Sequence, residues 1–160
     1  MIMLLSSSLT LVPVLAVRGS YSGVNGKIVF TRGNEPKRIY AMNPDGTDLR
    51  QLTPSDKPGM SEDPVWSSDG SKIAFSYETQ QNDIWVMNAD GSNWVNLTNY
   101  PIGQAVVYDT GNAAWSPDSS KVAYTIHGGA NIYVVAAVPN ATKILLTDGS
   151  SPHWSPDGMR

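Results

Sequence analysis

The chain has 160 residues, 41% of them hydrophobic and 9% aromatic, with 14 Gly, 11 Pro, no Cys and a formal net charge of −3. That composition excludes a disordered or collagen-like chain, a disulfide framework and a thiolate metal site. It also lacks the basic surface that nucleic acid or anionic lipid would need, so neither is expected as a partner.

In chain order, residues 1–16 come first. Met1 to Val17 carries no charged side chain, is interrupted by Ser6, Ser7, Ser8, Thr10 and Pro13, and is followed by Arg18. Such a run is too broken for a membrane helix of about 20 apolar residues and reads as an export signal cleaved after Ala16, although no Lys or Arg precedes it. Residues 17–25, rich in Gly, Ser and Asn, are read as a linker, with no membrane insertion after cleavage and a periplasmic or secreted location.

The remainder, 26–160, is repetitive. Asp63-Pro-Val-Trp-Ser-Ser-Asp-Gly-Ser-Lys-Ile-Ala-Phe75 aligns with Asn112-Ala-Ala-Trp-Ser-Pro-Asp-Ser-Ser-Lys-Val-Ala-Tyr124 and with Ser151-Pro-His-Trp-Ser-Pro-Asp-Gly158, placing Trp66, Trp115 and Trp154 at one repeat position. Arg38-Ile-Tyr-Ala-Met-Asn-Pro-Asp-Gly46 recurs 45 residues later as Asp83-Ile-Trp-Val-Met-Asn-Ala-Asp-Gly91, and more loosely as Asn131-Ile-Tyr-Val-Val135. Gln51-Leu-Thr53, Asn96-Leu-Thr98 and Leu145-Leu-Thr147 close the units. The repeats run over 26–62, 63–111, 112–150 and an incomplete 151–160.

Each unit holds four β-prone runs: a Trp-containing strand A, then B (Lys-Ile-Ala-Phe), C (Ile-Trp-Val-Met) and D (Val-Asn-Leu-Thr). Pro-Asp-Gly and Asn-x-Asp-Gly turns join A to B and C to D, because Pro presets φ, Asp tolerates the next position and Gly accepts a left-handed φ. B and C are continuous apolar runs, so both faces of their sheet must be covered. The expected fold class is therefore all-β, a β-propeller of four-stranded antiparallel blades. With the signal removed, about three blades remain at roughly 45 residues each, against roughly 4 to 8 in a closed ring. The expectation is an open arc, a fragment of a six-bladed ring or half of a dimeric one. It has exposed apolar flanks and open blade edges through which it could self-associate, and its twelfth strand is a lone A at 151–154.

Trp-Ser-Pro-Asp-Gly, then Lys-Ile-Ala-Phe, Ile-Trp-Val-Met-Asn-Ala-Asp-Gly and Leu-Thr together resemble the TolB-like β-propeller family, a WD-like repeat, over 26–160. That resemblance implies a non-enzymatic exported adaptor binding another protein or an envelope polymer; the α/β domain that precedes the TolB propeller has no counterpart here. Repeats of this kind also form the propellers of prolyl oligopeptidase-type serine peptidases, tricorn-like proteases and some pectate-degrading lyases. The alternative is thus the propeller of an exported peptidase whose catalytic domain lies outside this chain.

No catalytic constellation stands out. The two histidines, His127 and His153, accompany neither a Gly-x-Ser-x-Gly elbow nor a phosphate loop. No cofactor or metal is implied: Asp45, Asp48 and Asp90 lack EF-hand spacing and read as turn residues. Trp66, Asp69, Gly70, Trp115, Asp118, Trp154, Asp157 and Gly158 read as structural repeat positions, the Trp side chains packing between blades. The A–B and C–D turns share one face of the propeller. The irregular connections at 31–37, 53–64, 76–82, 98–112 and 125–131 share the other, which is the expected docking face. Arg32, Glu62, Tyr77, Glu78, Tyr108, Asp109 and His127 are its candidate binding residues, because charge and Tyr there have no repeat role and suit interfaces.

Overall fold

The structure is a computed structural model that describes residues 26–101, 110–126 and 131–159. The signal and linker expected at 1–25 lie outside the described residues. Among the described residues there is no helix, and eleven strands form three separate antiparallel sheets. The first contains β1 (Ile28–Arg32), β2 (Arg38–Met42) and β3 (Arg50–Gln51), in that order. The second contains β4 (Met60–Trp66), β5 (Lys72–Glu78), β6 (Asn82–Asn88) and β7 (Val95–Asn96), also in chain order. The third contains β8 (Thr110–Trp115), β9 (Lys121–Ile126), β10 (Asn131–Ala136) and β11 (Ile144–Asp148) as a meander. These are three propeller blades in an open arc, the first with three strands among the described residues.

The middle blade explains the continuous apolar runs. Ile73, Phe75, Tyr77 and Met87 pack with Ile39 of the first blade, while Ala74, Ile84 and Val86 pack with Trp115, Val122 and Tyr124 of the third. Successive side chains of β5 thus enter two different cores, the expected outcome of a period-2 strand covered on both faces. Phe75, Ile73 and Ile84 are fully buried, each worth about 1.5–3 kcal/mol of transfer free energy. The Leu-Thr ending also has a physical role. Thr53 Oγ1 accepts the Ile39 amide at 2.9 Å and Thr98 Oγ1 accepts the Ile84 amide at 3.0 Å. Each Thr takes over the ladder where β3 and β7 stop.

Blades are tied across their interfaces as well. The Trp115 indole Nε1 donates to Val65 O at 3.2 Å, and Trp154 Nε1 donates to Ala114 O at 3.1 Å. Each Trp therefore reaches the carbonyl just before the Trp position of the preceding blade. Strands β4 and β8 carry a bulge three residues before their Trp, at Asp63 (φ 49°) and Asn112 (φ 51°); Asn and Asp tolerate this left-handed region better than most residues.

Two expectations are corrected. The segment 151–154 forms no strand, and among the described residues no strand pairs with it. The connections expected at 53–64 and 76–82 are shorter than their sequences suggest: β4 begins at Met60 and β5 runs on to Glu78, with Met60 opposite Glu78, Ser61 opposite Tyr77 and Glu62 opposite Ser76.

Candidate functional site

On the turn face the aspartates act within their own turns. Asp69 Oδ1 accepts the Ser67 hydroxyl at 2.6 Å and the Ser71 amide at 3.0 Å, while Ser67 Oγ accepts the Lys72 amide at 2.9 Å. Asp118 repeats this with Ser116 at 2.5 Å and the Ser120 amide at 3.0 Å. Asp45 and Asp90 hold the amides of Thr47 and Ser92, each at 2.9 Å. Donated hydrogen bonds favour the carboxylate. The Ser67 hydroxyl is the main reason Asp69 is held down at about 2, and the Ser116 hydroxyl does the same for Asp118.

A pH prediction follows from these depressed values. Their stabilisation is present above the unfolded carboxylate range near 4 and is lost as pH falls through the folded value of about 2. A D69N/D118N double variant should be less stable than the parent at neutral pH, yet lose less stability between about pH 4 and about 2. Urea titrations across that interval check it, and parallel curves for the two proteins would refute it.

The opposite face is irregular in sequence but fixed from beneath. Arg38, 6% exposed, heads β2 and sends its guanidinium into the 53–64 connection. Nη1 donates to Gly59 O at 2.6 Å and Lys37 O at 2.9 Å, and Nη2 donates to Lys57 O at 2.9 Å. Asp83 stands at the same repeat position in the next blade with the opposite charge. Its carboxylate accepts the Thr98 hydroxyl at 2.5 Å, the Asn96 amide group at 3.0 Å and the Tyr100 backbone amide at 3.1 Å. The charged residue at the start of strand C, first in β2 and second in β6, therefore holds the D-to-A connection of its own blade, by donating to carbonyls in one case and by accepting from donors in the other.

The expected binding residues separate into three groups. Arg32 ends β1, is exposed, and places its guanidinium carbon 5.6 Å from the Tyr40 ring centroid. Glu62, half-buried in β4, is ion-paired with Lys37, whose ammonium is held protonated by that bond; Glu78 ends β5 and is exposed. Tyr77 is placed differently from its loop expectation: it lies within β5 at 8% exposure, edge-on to Trp85 and Trp94 at 5.6 and 5.3 Å. Its hydroxyl donates to Pro58 O, and burial raises its pKa. Tyr108, Asp109 and His127 lie outside the described residues. The structure thus gathers Lys37, Glu62, Tyr77 and Glu78 around the 53–64 connection. Arg38 and Asp83 are absent from the residues expected by sequence, although a charged residue heading an apolar strand is a readable signal for both.

Among the described residues no group of three or more His, Asp or Glu could hold a metal ion, and no helix is long and apolar enough to cross a membrane. His153 is exposed, its Nδ1 3.0 Å from Ser151 O.

The family model described as the TolB beta propeller domain matches residues 15–160. Among solved structures, the putative TolB from Agrobacterium tumefaciens is 23% identical, with a TM-score of 0.64 over 82% of this chain and 51% of that one. TolB from Acinetobacter baumannii is also 23% identical, with a TM-score of 0.64 over 82% of this chain and 33% of its own. A chain of a nidogen/laminin complex is 17% identical, with a TM-score of 0.59 over 79% of this chain and 46% of its own. The chain spans about half or less of the length of each.

Proposed function

This chain belongs to the TolB beta propeller domain family, and from that premise we propose that it is a non-enzymatic, exported scaffold, periplasmic or secreted, that binds another protein through its irregular loop face. The observation that carries the reading is the Arg38 clamp. A connection exposed over 54–58 is held by a buried side chain through two of its backbone carbonyls, Gly59 O at 2.6 Å and Lys57 O at 2.9 Å. A surface fixed before contact loses less conformational entropy on binding. The mixed charges around it, Arg32, Glu62 with Lys37, and Glu78, favour a polar protein surface over a single-sign polymer. Tyr108, Asp109 and His127 belong to the same proposed face, with Tyr77 supporting it from below.

Site-specific photo-crosslinking tests this. A crosslinker at Glu78 or Arg32 should capture a discrete partner from an envelope extract, whereas one at Asp45 or Asp90 on the turn face should not. Equal capture from both faces, or none from Glu78 and Arg32, would refute it. The peptidase-propeller alternative predicts that capture is by a hydrolase domain.

A further inference from the structure

Every blade ends in a D strand, and the outer edge of that strand is the rim of the propeller. A neighbouring blade stacks on the face of a sheet and leaves this edge open, and a four-stranded repeat supplies no strand beyond D. The first two blades guard the edge. β3 and β7 are two residues long, the shortness by which natural sheets blunt an edge. Their rim positions are also polar and tied to their own blade. Gln51 Nε2 donates to Thr53 O at 2.7 Å and Ser55 Oγ at 2.8 Å, and Asn96 Oδ1 accepts the Thr98 and Asn99 amides at 3.0 and 2.8 Å.

The third blade leaves its edge unguarded. β11 is five residues long and exposed along its whole length. Leu145 stands opposite Tyr133, as Gln51 stands opposite Tyr40 and Asn96 opposite Trp85, and it is 55% exposed. Ile144 and Leu146 point to the other side of the sheet, where their counterparts Val95, Leu97 and Leu52 pack between blades. The backbone of Leu145 faces the rim as well. The Leu52 and Leu97 amides bond inward, to Ile39 O at 2.8 Å and Ile84 O at 2.9 Å. Direction alternates along an antiparallel ladder, so the residue before each, and Leu145 by equivalence, turns its N–H and C=O away from strand C.

We propose that β11 pairs antiparallel with β11 of a second copy of this chain, across a two-fold axis at Leu145, so that two third blades join into one continuous sheet. The sequence Lys143-Ile-Leu-Leu-Thr-Asp148 is self-complementary about that residue. Leu145 meets Leu145, Ile144 meets Leu146, and Lys143 meets Thr147 with Asp148 beside it. Apolar groups thus oppose apolar ones, and opposite charges lie together at both ends. A parallel pair would set Lys143 against Lys143. The two-fold makes both halves of the contact identical and consumes the open edge of each copy. Because the contact lies on the rim, it leaves both loop faces free and holds whatever those faces bind.

The chain has no Cys, so an L145C variant of the whole chain reports the contact directly, since paired strands bring Cα atoms within disulfide range. The parent should sediment at twice the chain mass, and oxidised L145C should run as a covalent dimer. L145P should sediment at the chain mass and keep the parent's β-sheet circular dichroism, because its missing N–H points away from β10 and takes no bond from the blade. L145K, which sets like charges face to face on the axis, should also be monomeric and decides the matter if L145P does not fold. A parent that sediments as a monomer overturns the proposal whether or not any variant folds. So does a dimer that L145C fails to link, or one that L145K leaves intact.

Discussion

R38M should lower the unfolding free energy by about 3 kcal/mol and selectively accelerate amide hydrogen exchange across the 54–62 stretch. The magnitude comes from charge-assisted hydrogen bonds to Gly59 O and Lys57 O at 2.6 and 2.9 Å, worth about 1.5–3 kcal/mol each. Against them stands the desolvation cost of a guanidinium that is 6% exposed, which Met does not incur. The contact with Ser55 O is 3.4 Å, too long to add much. Arg38→Lys should recover less than half of the loss, because a point ammonium cannot span carbonyls that a planar fork reaches together. Chemical denaturation gives the free energy and exchange mass spectrometry gives its location. A loss spread evenly over all three blades would show that Arg38 serves general packing instead of this connection.

Most of the fold is legible in the repeat, and the reasons are local. Pro-Asp-Gly and Asn-x-Asp-Gly impose turns through φ preferences that need no tertiary context, and Ile73-Ala74-Phe75 announces a doubly covered strand by composition alone. Residues 60–64 are not legible as strand because Met-Ser-Glu-Asp-Pro has weak β propensity. The strand state of Met60, Ser61 and Glu62 is imposed by the backbone of Glu78, Tyr77 and Ser76 opposite them, a partner's ladder overriding a local preference. Tyr77 misleads for the same reason: as a loop residue it would be exposed, but one step further along β5 it enters the core beside Trp85 and Trp94. Arg38 is hidden by its charge. A charge heading an apolar strand marks its position, but burial of an Arg is rare enough that the carbonyls converging on it are needed to reveal its use. The segment 151–154 forms no strand, and among the described residues it has no strand to pair with.

The second large effect is expected at Gly59, where Gly59→Ala should lower stability by about 3 kcal/mol or more, a fall in Tm of roughly 10 °C for a chain of this size. Two terms contribute. Gly59 has φ +90°, a conformation that costs a side-chain-bearing residue about 1–2 kcal/mol. Its added Cβ would also fall on the Glu78 carbonyl, 3.0 Å from the carbonyl carbon and 2.8 Å from Thr79 Cγ2. Glu78 is backbone fixed by the ladder at Met60, so it cannot move aside cheaply, and overpacking of this kind costs about 1–3 kcal/mol. Gly46→Ala separates the terms: its φ is +83° but an added Cβ meets nothing within 4 Å, so it should cost only the backbone share. Because Gly59 O is also an Arg38 acceptor, the R38M/G59A double variant should lose less than the two single losses combined. Thermal and urea melts of the four proteins close that cycle. Strict additivity would mean that the clamp and the glycine act on separate structures, and the case for one rigid, preformed loop surface would fall with it.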